Sequence, residues 1–312
     1  MTAQGLSPEK LADGPAETPD RRRPFIEPGW YHDLANEEYH GSFGLSSSNL
    51  KVLLEHTPAH LEHSFAVPTE PSANMQLGTA VHTMVLEPDT VKDEIVIAPE
   101  VNRRTNAGKA EWLEFEAASV GKIGLKQEDY NKARRMADSV MAHPIAGILL
   151  RDAVPESSIY WWYRSMDPDD DIQYREMLKV RPDALCRSHP VIVDLKTTVD
   201  ATYSGFIRST QRYHYHVSAA MYLEGVNQCR PLLDELGRVA FTKFLFVCVE
   251  SAEPYLTAVY ELSDEYLDIG KTLYRRALRT LRDAREAEEF PGFPDEVRVL
   301  EPPGWARRGH VV

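Results

Sequence analysis

Cysteine is scarce in this chain of 312 residues: Cys186, Cys229 and Cys248 are scattered and show no C-x-x-C spacing. Neither a disulfide framework nor a zinc ribbon is indicated, and a reducing cytoplasm fits best. Long apolar runs are also missing. The longest, around Phe244 to Val249, is far too short to span a bilayer, and no apolar segment follows a basic start. Membrane insertion and secretion are therefore not expected. Positive charge is in deficit, with Lys+Arg 35 against Asp+Glu 48 and a net charge of −13, which argues against nonspecific coating of nucleic acid. A local basic track remains open. From Asp171 to Arg212 the balance reverses, with Arg175, Lys179, Arg181, Arg187, Lys196, Arg208 and Arg212 outnumbering the acids. Large apolar side chains are almost absent from residues 1–27, the composition of a disordered leader, which leaves a single folded domain expected over 28–312.

What is present reads as helices, then strands, then a mixture. Ser46-Ser47-Ser48-Asn49 offers N-caps to a helix bearing Leu50, Leu53 and Leu54, which Thr57-Pro58 stops. A second helix runs from near Asn74 to before Pro88, with Gly78 one turn ahead of His82 so that a backbone or ligand can approach closely. Helices follow around Glu111 to Ala118 and Glu128 to Met141. Three strands are expected over Ser157–Tyr163, Tyr174–Leu185 and Val191–Thr198, with Pro182 marking an irregularity. A long helix from Tyr203 to Val226, strands over Phe241–Val249 and Tyr255–Leu262, and a final helix capped by Ser263 complete an α/β fold with a mixed β-sheet and helices packed on it.

The chemistry centres on Arg181-Pro182-Asp183 and Val191-Ile192-Val193-Asp194-Leu195-Lys196. Side chains alternate along a strand, so Asp194 and Lys196 share a face with Ile192 while Val191, Val193 and Leu195 take the other. A turn centred on Ser188-His189 sets Asp183 across from Asp194, Cβ atoms about 5 Å apart. Facing carboxylates repel, and a divalent cation between them is the natural reason to keep both. Asp183 and Asp194 could hold Mg²⁺ or Mn²⁺, the Leu195 backbone carbonyl could add an oxygen, and Lys196 could orient a water for phosphodiester hydrolysis. His82 would complete the set, although a histidine on an amphipathic helix is more often a satisfied core or surface residue. A D-x-K triplet is also often an exposed ion pair, but Val-Ile-Val ahead of it reads as a buried central strand.

These residues resemble the PD-(D/E)XK nuclease signature. More specifically, the chain resembles the nuclease domain of RecE-type exonucleases (exonuclease VIII-like) of phage and prophage origin. The similar stretches are Asn36–His40, Leu77–His82 through Pro88, Val101–Lys109, Glu156–Trp161, Asp194–Thr198, Tyr215–Val217 and Pro303–Ala306. The resemblance implies a PD-(D/E)XK fold with a central mixed sheet flanked by helices. It implies a Mg²⁺-dependent exodeoxyribonuclease that degrades linear double-stranded DNA 5′ to 3′, leaving 3′ overhangs for a single-strand annealing protein in a bacterial cytoplasm. It further implies a homo-oligomeric ring, with His82, Asp183 and Asp194 as metal ligands and Lys196 as the catalytic lysine.

One departure stands out. Related nucleases carry a glutamine four residues before a tyrosine on the helix after the catalytic strand; here Ser218 precedes Tyr222. His214 or His216 could substitute, a water could fill the gap, activity could be reduced, or this face could simply pack aromatics. A catalytically silent DNA-end binding module is the alternative that departure supports. An iron–sulfur nuclease would need four cysteines. Arg103, Arg104, Arg181 and Tyr222 are candidate DNA contacts, with an ordinary solvated loop the competing account of the first two.

Overall fold

The stretch expected to be one strand from Tyr174 to Leu185 is two strands, and the break between them organises the molecule. The computed structural model describes residues 23–67, 72–165 and 175–302. Most of the expected leader, through residue 22, lies outside the described residues, as do Tyr174 and the Pro303–Ala306 stretch. The first part of the chain gives strand β1 (Gly29–Tyr31) and helices α1 (Asn36–Gly41), α2 (Ser47–Glu55), α3 (Pro58–Ala66), α4 (Ala73–Leu86) and α5 (Val91–Glu94). Strand β2 (Ile95–Ile97), helix α6 (Asn106–Ala118), strand β3 (Ile123–Leu125) and helices α7 (Gln127–Ala142) and α8 (Ala146–Arg151) follow. Next come strands β4 (Ala153–Pro155), β5 (Ser158–Arg164), β6 (Arg175–Val180), β7 (Ala184–Cys186) and β8 (Val191–Thr198). Helices α9 (Tyr203–Arg212), α10 (Tyr215–Gln228) and α11 (Arg230–Glu235), strands β9 (Lys243–Glu250) and β10 (Thr257–Glu261), and helix α12 (Asp264–Glu286) end the series.

Pro182 cannot donate to a ladder, and at Arg181-Pro182-Asp183 the chain changes sheets. β6 belongs to a three-stranded sheet ordered β1-β5-β6, while β7 belongs to a five-stranded sheet ordered β10-β9-β8-β7-β4. Within the larger sheet β8 and β9 are parallel and the other pairs antiparallel, which makes it mixed. A separate parallel pair joins β2 and β3.

Alternation along the central strands sorts their side chains into two cores. Leu185, Ile192, Phe244, Phe246 and Cys248 face one side, packed with Phe206, Val217, Met221, Tyr274 and Leu278 from α9, α10 and α12. Ala184, Cys186, Val191, Val193, Leu195, Val247 and Val249 face the other, against Leu77, Val81, Met136 and Val140 from α4 and α7. The central sheet is thus buried on both faces, which explains why β8 and β9 read as nearly continuous apolar runs. At about 25 cal/mol per Å² of apolar surface removed from water, these clusters dominate the favourable side of folding.

The caps read from sequence form. Ser46 and Asn49 make a reciprocal capping box on α2, and the Ser263 side chain accepts the Tyr266 N–H at the start of α12, whereas Pro58, expected only to stop α2, also opens α3. The expected helix over 203–226 is instead two, α9 and α10, broken at His214, whose φ of 50° is left-handed. Periodicity alone could not show this, because apolar residues continue in phase across the break.

A buried lysine ties α1 to the smaller sheet. Lys179 on β6 donates to Tyr39 O at 2.6 Å, Ser42 O at 2.8 Å and Ser42 Oγ at 3.1 Å. Burial, with Arg23 and Arg181 nearby, pulls it down to about 7, while the three acceptors favour the ammonium.

Candidate active site

Asp194 and Lys196 project from the α10-facing side of β8, the side on which Ile192 is buried. The β7–β8 register pairs Ala184 with Val193 and Leu185 with Ile192. One step further sets Asp183 across from Asp194, as a turn at Ser188-His189 requires. The Leu195 N–H donates to Asp183 Oδ2 at 2.7 Å, which pins that carboxylate to β8.

The histidine arrives from α4. A Cβ on Gly78 would come within 3.3 Å of Thr197 Oγ1, so the missing side chain lets the helix lie close to β8. One turn later His82 Nδ1 stands 3.6 Å from Asp183 Oδ2. A fourth residue comes from the loop between β4 and β5. Glu156 has a left-handed φ of 45°, and its N–H donates to the Asp183 carbonyl at 3.2 Å. Ligand atoms of His82, Glu156 and Asp183 all lie within 4.8 Å of one another.

Electrostatics mark the site as short of positive charge. Burial, then Asp183, Glu87 and Asp194, push Glu156 up to about 8 despite Arg181. Burial and Asp183 likewise raise Asp194, against the pull of Lys196 and His82. The Lys196 ammonium contacts Asp194 Oδ2; burial opposes its charge, but Asp194 and Asp183 outweigh that and hold it protonated. Crowded carboxylates that hold protons for want of a counter-charge, with an imidazole among them, suit a hard divalent cation with oxygen-rich ligation. His82, Glu156 and Asp183 could hold one, with Asp194 and the Leu195 carbonyl on the adjoining strand.

Four of the residues read from sequence, His82, Asp183, Asp194 and Lys196, therefore meet. Tyr222 lies within electrostatic reach of the same region: burial raises it well above its ordinary value, and Tyr39, Asp194 and Asp183 add to that. The other candidates lie elsewhere or are engaged. Arg181 donates to Ser158 Oγ at 2.8 Å, Asn36 Oδ1 at 3.3 Å and Leu34 O at 2.8 Å, and stacks on Tyr39. Its donors brace the fold instead of facing a ligand. Arg103 and Arg104 are exposed ahead of α6, Arg103 lying over Trp112 at 4.1 Å. Ser218 donates to Ser47 Oγ at 3.1 Å, while His214 engages Glu55 and His216 Nδ1 faces Thr210 O.

Glu156 carries too little local signal to be assigned to the site from sequence. It is an acid directly ahead of an aromatic strand, but a lone glutamate in a loop says nothing of its neighbours.

A mixed sheet clad by helices on both faces, with an Asp immediately ahead of β7 and an Asp-x-Lys on the adjacent β8, defines a protein of PD-(D/E)XK type. The chain belongs to the family described as a PDDEXK-like domain of unknown function (DUF3799), whose model matches residues 46–301. Its structure is similar to that of a provisionally assigned exonuclease from Eubacterium rectale, with a TM-score of 0.54 and 14% identity over 86% of this chain and 93% of that one. SSO0001 matches at a TM-score of 0.29 with 16% identity, over 78% and 87% of the two chains, too distant to bear on the argument. Comparison with curated proteins gives no significant match. No helix among the described residues is long and apolar enough to cross a membrane.

Proposed function

We propose that this protein is a Mg²⁺- or Mn²⁺-dependent exodeoxyribonuclease that degrades linear double-stranded DNA. The observation that carries this reading is the convergence of His82, Glu156 and Asp183 within 4.8 Å, beside the Asp194–Lys196 pair. A divalent ion bound there would neutralise a nonbridging phosphate oxygen and acidify a water. His82, Glu156, Asp183 and Asp194 would hold that ion, with the Leu195 carbonyl as a further oxygen. Lys196 directs the water and offsets charge as the water oxygen bonds to phosphorus and the leaving oxygen departs.

The 5′ to 3′ direction, the 3′ overhangs passed to a single-strand annealing protein, the ring-shaped homo-oligomer, the phage origin and a bacterial cytoplasm rest on the resemblance to RecE-type exonucleases. The E. rectale neighbour, provisionally assigned as an exonuclease, is consistent with the activity.

The test is digestion of linear and closed circular duplex, each with Mg²⁺ or with EDTA. Linear DNA alone should be consumed, and only with the metal; an end-labelled time course reads the direction. Digestion of the circle, or turnover in EDTA, overturns the exonuclease reading. Asp194→Asn should lower the rate by roughly two to three orders of magnitude with the fold intact. Binding of ends by wild type without any cleavage would favour the silent module.

A further inference from the structure

One face of α2 runs along α10 in the opposite sense. Its residues at one-turn intervals, Ser47, Lys51 and Glu55, meet Ser218, Tyr215 and His214 in turn. The first contact is a hydroxyl pair at 3.1 Å and the last an acid–imidazole pair at 3.5 Å. Lys51 is held between them. Its Nζ lies 5.7 Å from the centre of the Tyr215 ring, and Lys196 Nζ lies 5.4 Å from the same ring. Two ammonium groups therefore share one aromatic side chain at the edge of the site.

The two lysines differ in their partners. Lys196 contacts Asp194. Among the described residues no carboxylate oxygen lies within 4.0 Å of Lys51 Nζ, and Glu55, one turn away, is turned to His214. Burial, then repulsion from Lys196, lowers Lys51 to about 8, with Asp194 and Glu55 only partly offsetting this. A half-buried cation beside another cation, without an acid of its own, costs stability in the free protein. The arrangement becomes favourable when an anion enters between Lys51 and the metal-side carboxylates.

We propose that Lys51 is a substrate-binding residue of this site, its ammonium contacting a nonbridging oxygen of the scissile phosphodiester from the α2 side. Ser47 and Ser218 fix the start of α2 on α10, and Tyr215 supplies the surface along which the Lys51 stem is directed. The inference rests on the nuclease reading above and adds a second cation to it, drawn from a helix that carries none of the metal-side residues.

Lys51→Met keeps the length of the side chain and removes its charge. Binding of a blunt linear duplex is measured with Ca²⁺ in place of Mg²⁺ at several salt concentrations, alongside hydrolysis with Mg²⁺ and thermal melting. Lys51→Met should weaken binding roughly tenfold and make the slope of log K against log[salt] shallower by about one. Lys51→Arg should restore most of both, and the melting temperature of Lys51→Met should equal or exceed that of wild type. An unchanged salt slope in Lys51→Met, whatever its melting temperature, overturns the proposal. If wild type hydrolyses DNA while the Lys51→Met slope is unchanged, only this inference fails. If wild type hydrolyses no DNA under any metal, the nuclease reading falls and this one with it.

Discussion

Asp183, Asp194 and Glu156 crowd together, and burial with the neighbouring carboxylates raises Glu156 and Asp194 above their ordinary values. Their roles separate by contact. Asp194 is engaged with Lys196, whereas Glu156 and Asp183 stand with His82 as the cluster of ligand distance. Lys196→Ala should therefore cut hydrolysis about a hundredfold or more while Mg²⁺ affinity is kept, because it frees Asp194 instead of removing a ligand. Calorimetric titration with Mg²⁺ separates the two effects, and lost metal binding would assign the lysine a structural role. Glu156→Gln should do the reverse, weakening Mg²⁺ affinity at least about tenfold with much of the rate recovered at high metal. Unchanged affinity in that variant would remove Glu156 from the metal side. The left-handed backbone of Glu156 fits such a role, since strained conformations persist where the surrounding structure needs a side chain in one place.

At the scale of elements, two interruptions build the site. Pro182 ends β6 and lets Asp183 leave one sheet for the other, and the bend at His214 starts α10 afresh so that Tyr215 comes under Lys196. Helix packing holds α10 in place. A Cβ on Gly270 of α12 would sit 2.1 Å from the His216 carbonyl oxygen, a backbone atom at the start of α10 that cannot rotate away. Gly270→Ala should destabilise the fold by about 2 kcal/mol through forced separation of α10 and α12, read as a lower urea midpoint. A midpoint equal to that of wild type would mean that the two helices do not pack so closely. The Pro182 irregularity was legible in sequence, because proline lacks the donor a ladder needs. The His214 break was not, because histidine carries no comparable local signal.

For the whole molecule, a net charge of −13 leaves DNA binding to local features. The same acid excess makes stability depend on pH and metal together. Glu156 has an ordinary value of 4.5 and sits at about 8 in the folded chain, so between those values the folded state holds a proton that the unfolded state releases. The stability this gives is complete below pH 4.5 and is lost as pH rises toward 8. Asp194, also raised, acts in the same direction. Lys179 and Lys51, lowered to about 7 and about 8 from 10.5, act oppositely, but only from about pH 7 upward. Burial lowers His40, His214 and His216 and so opposes this trend below pH 7. The change in melting temperature from pH 5 to pH 7 without metal should therefore be more negative in wild type than in Glu156→Gln, and Mg²⁺ should stabilise more at pH 7.5 than at pH 5.5, as cation replaces proton. Calorimetric scans with Mg²⁺ or EDTA measure this; a Glu156→Gln slope as steep as that of wild type would refute the assignment to Glu156.

Which strand is central and which of its faces carries charge can be read from the chain alone, because alternation along Val191–Lys196 is a local property of an extended chain. The chain also sets Asp183 against Asp194, since a short turn fixes the register on both sides. The tertiary structure alone decided that Glu156 joins His82, that Arg181 is consumed in bracing α1, and that Lys51 stands near Lys196. Each of these joins residues tens to more than a hundred positions apart, and no local periodicity encodes the path by which helices and two sheets bring such side chains within a few ångströms.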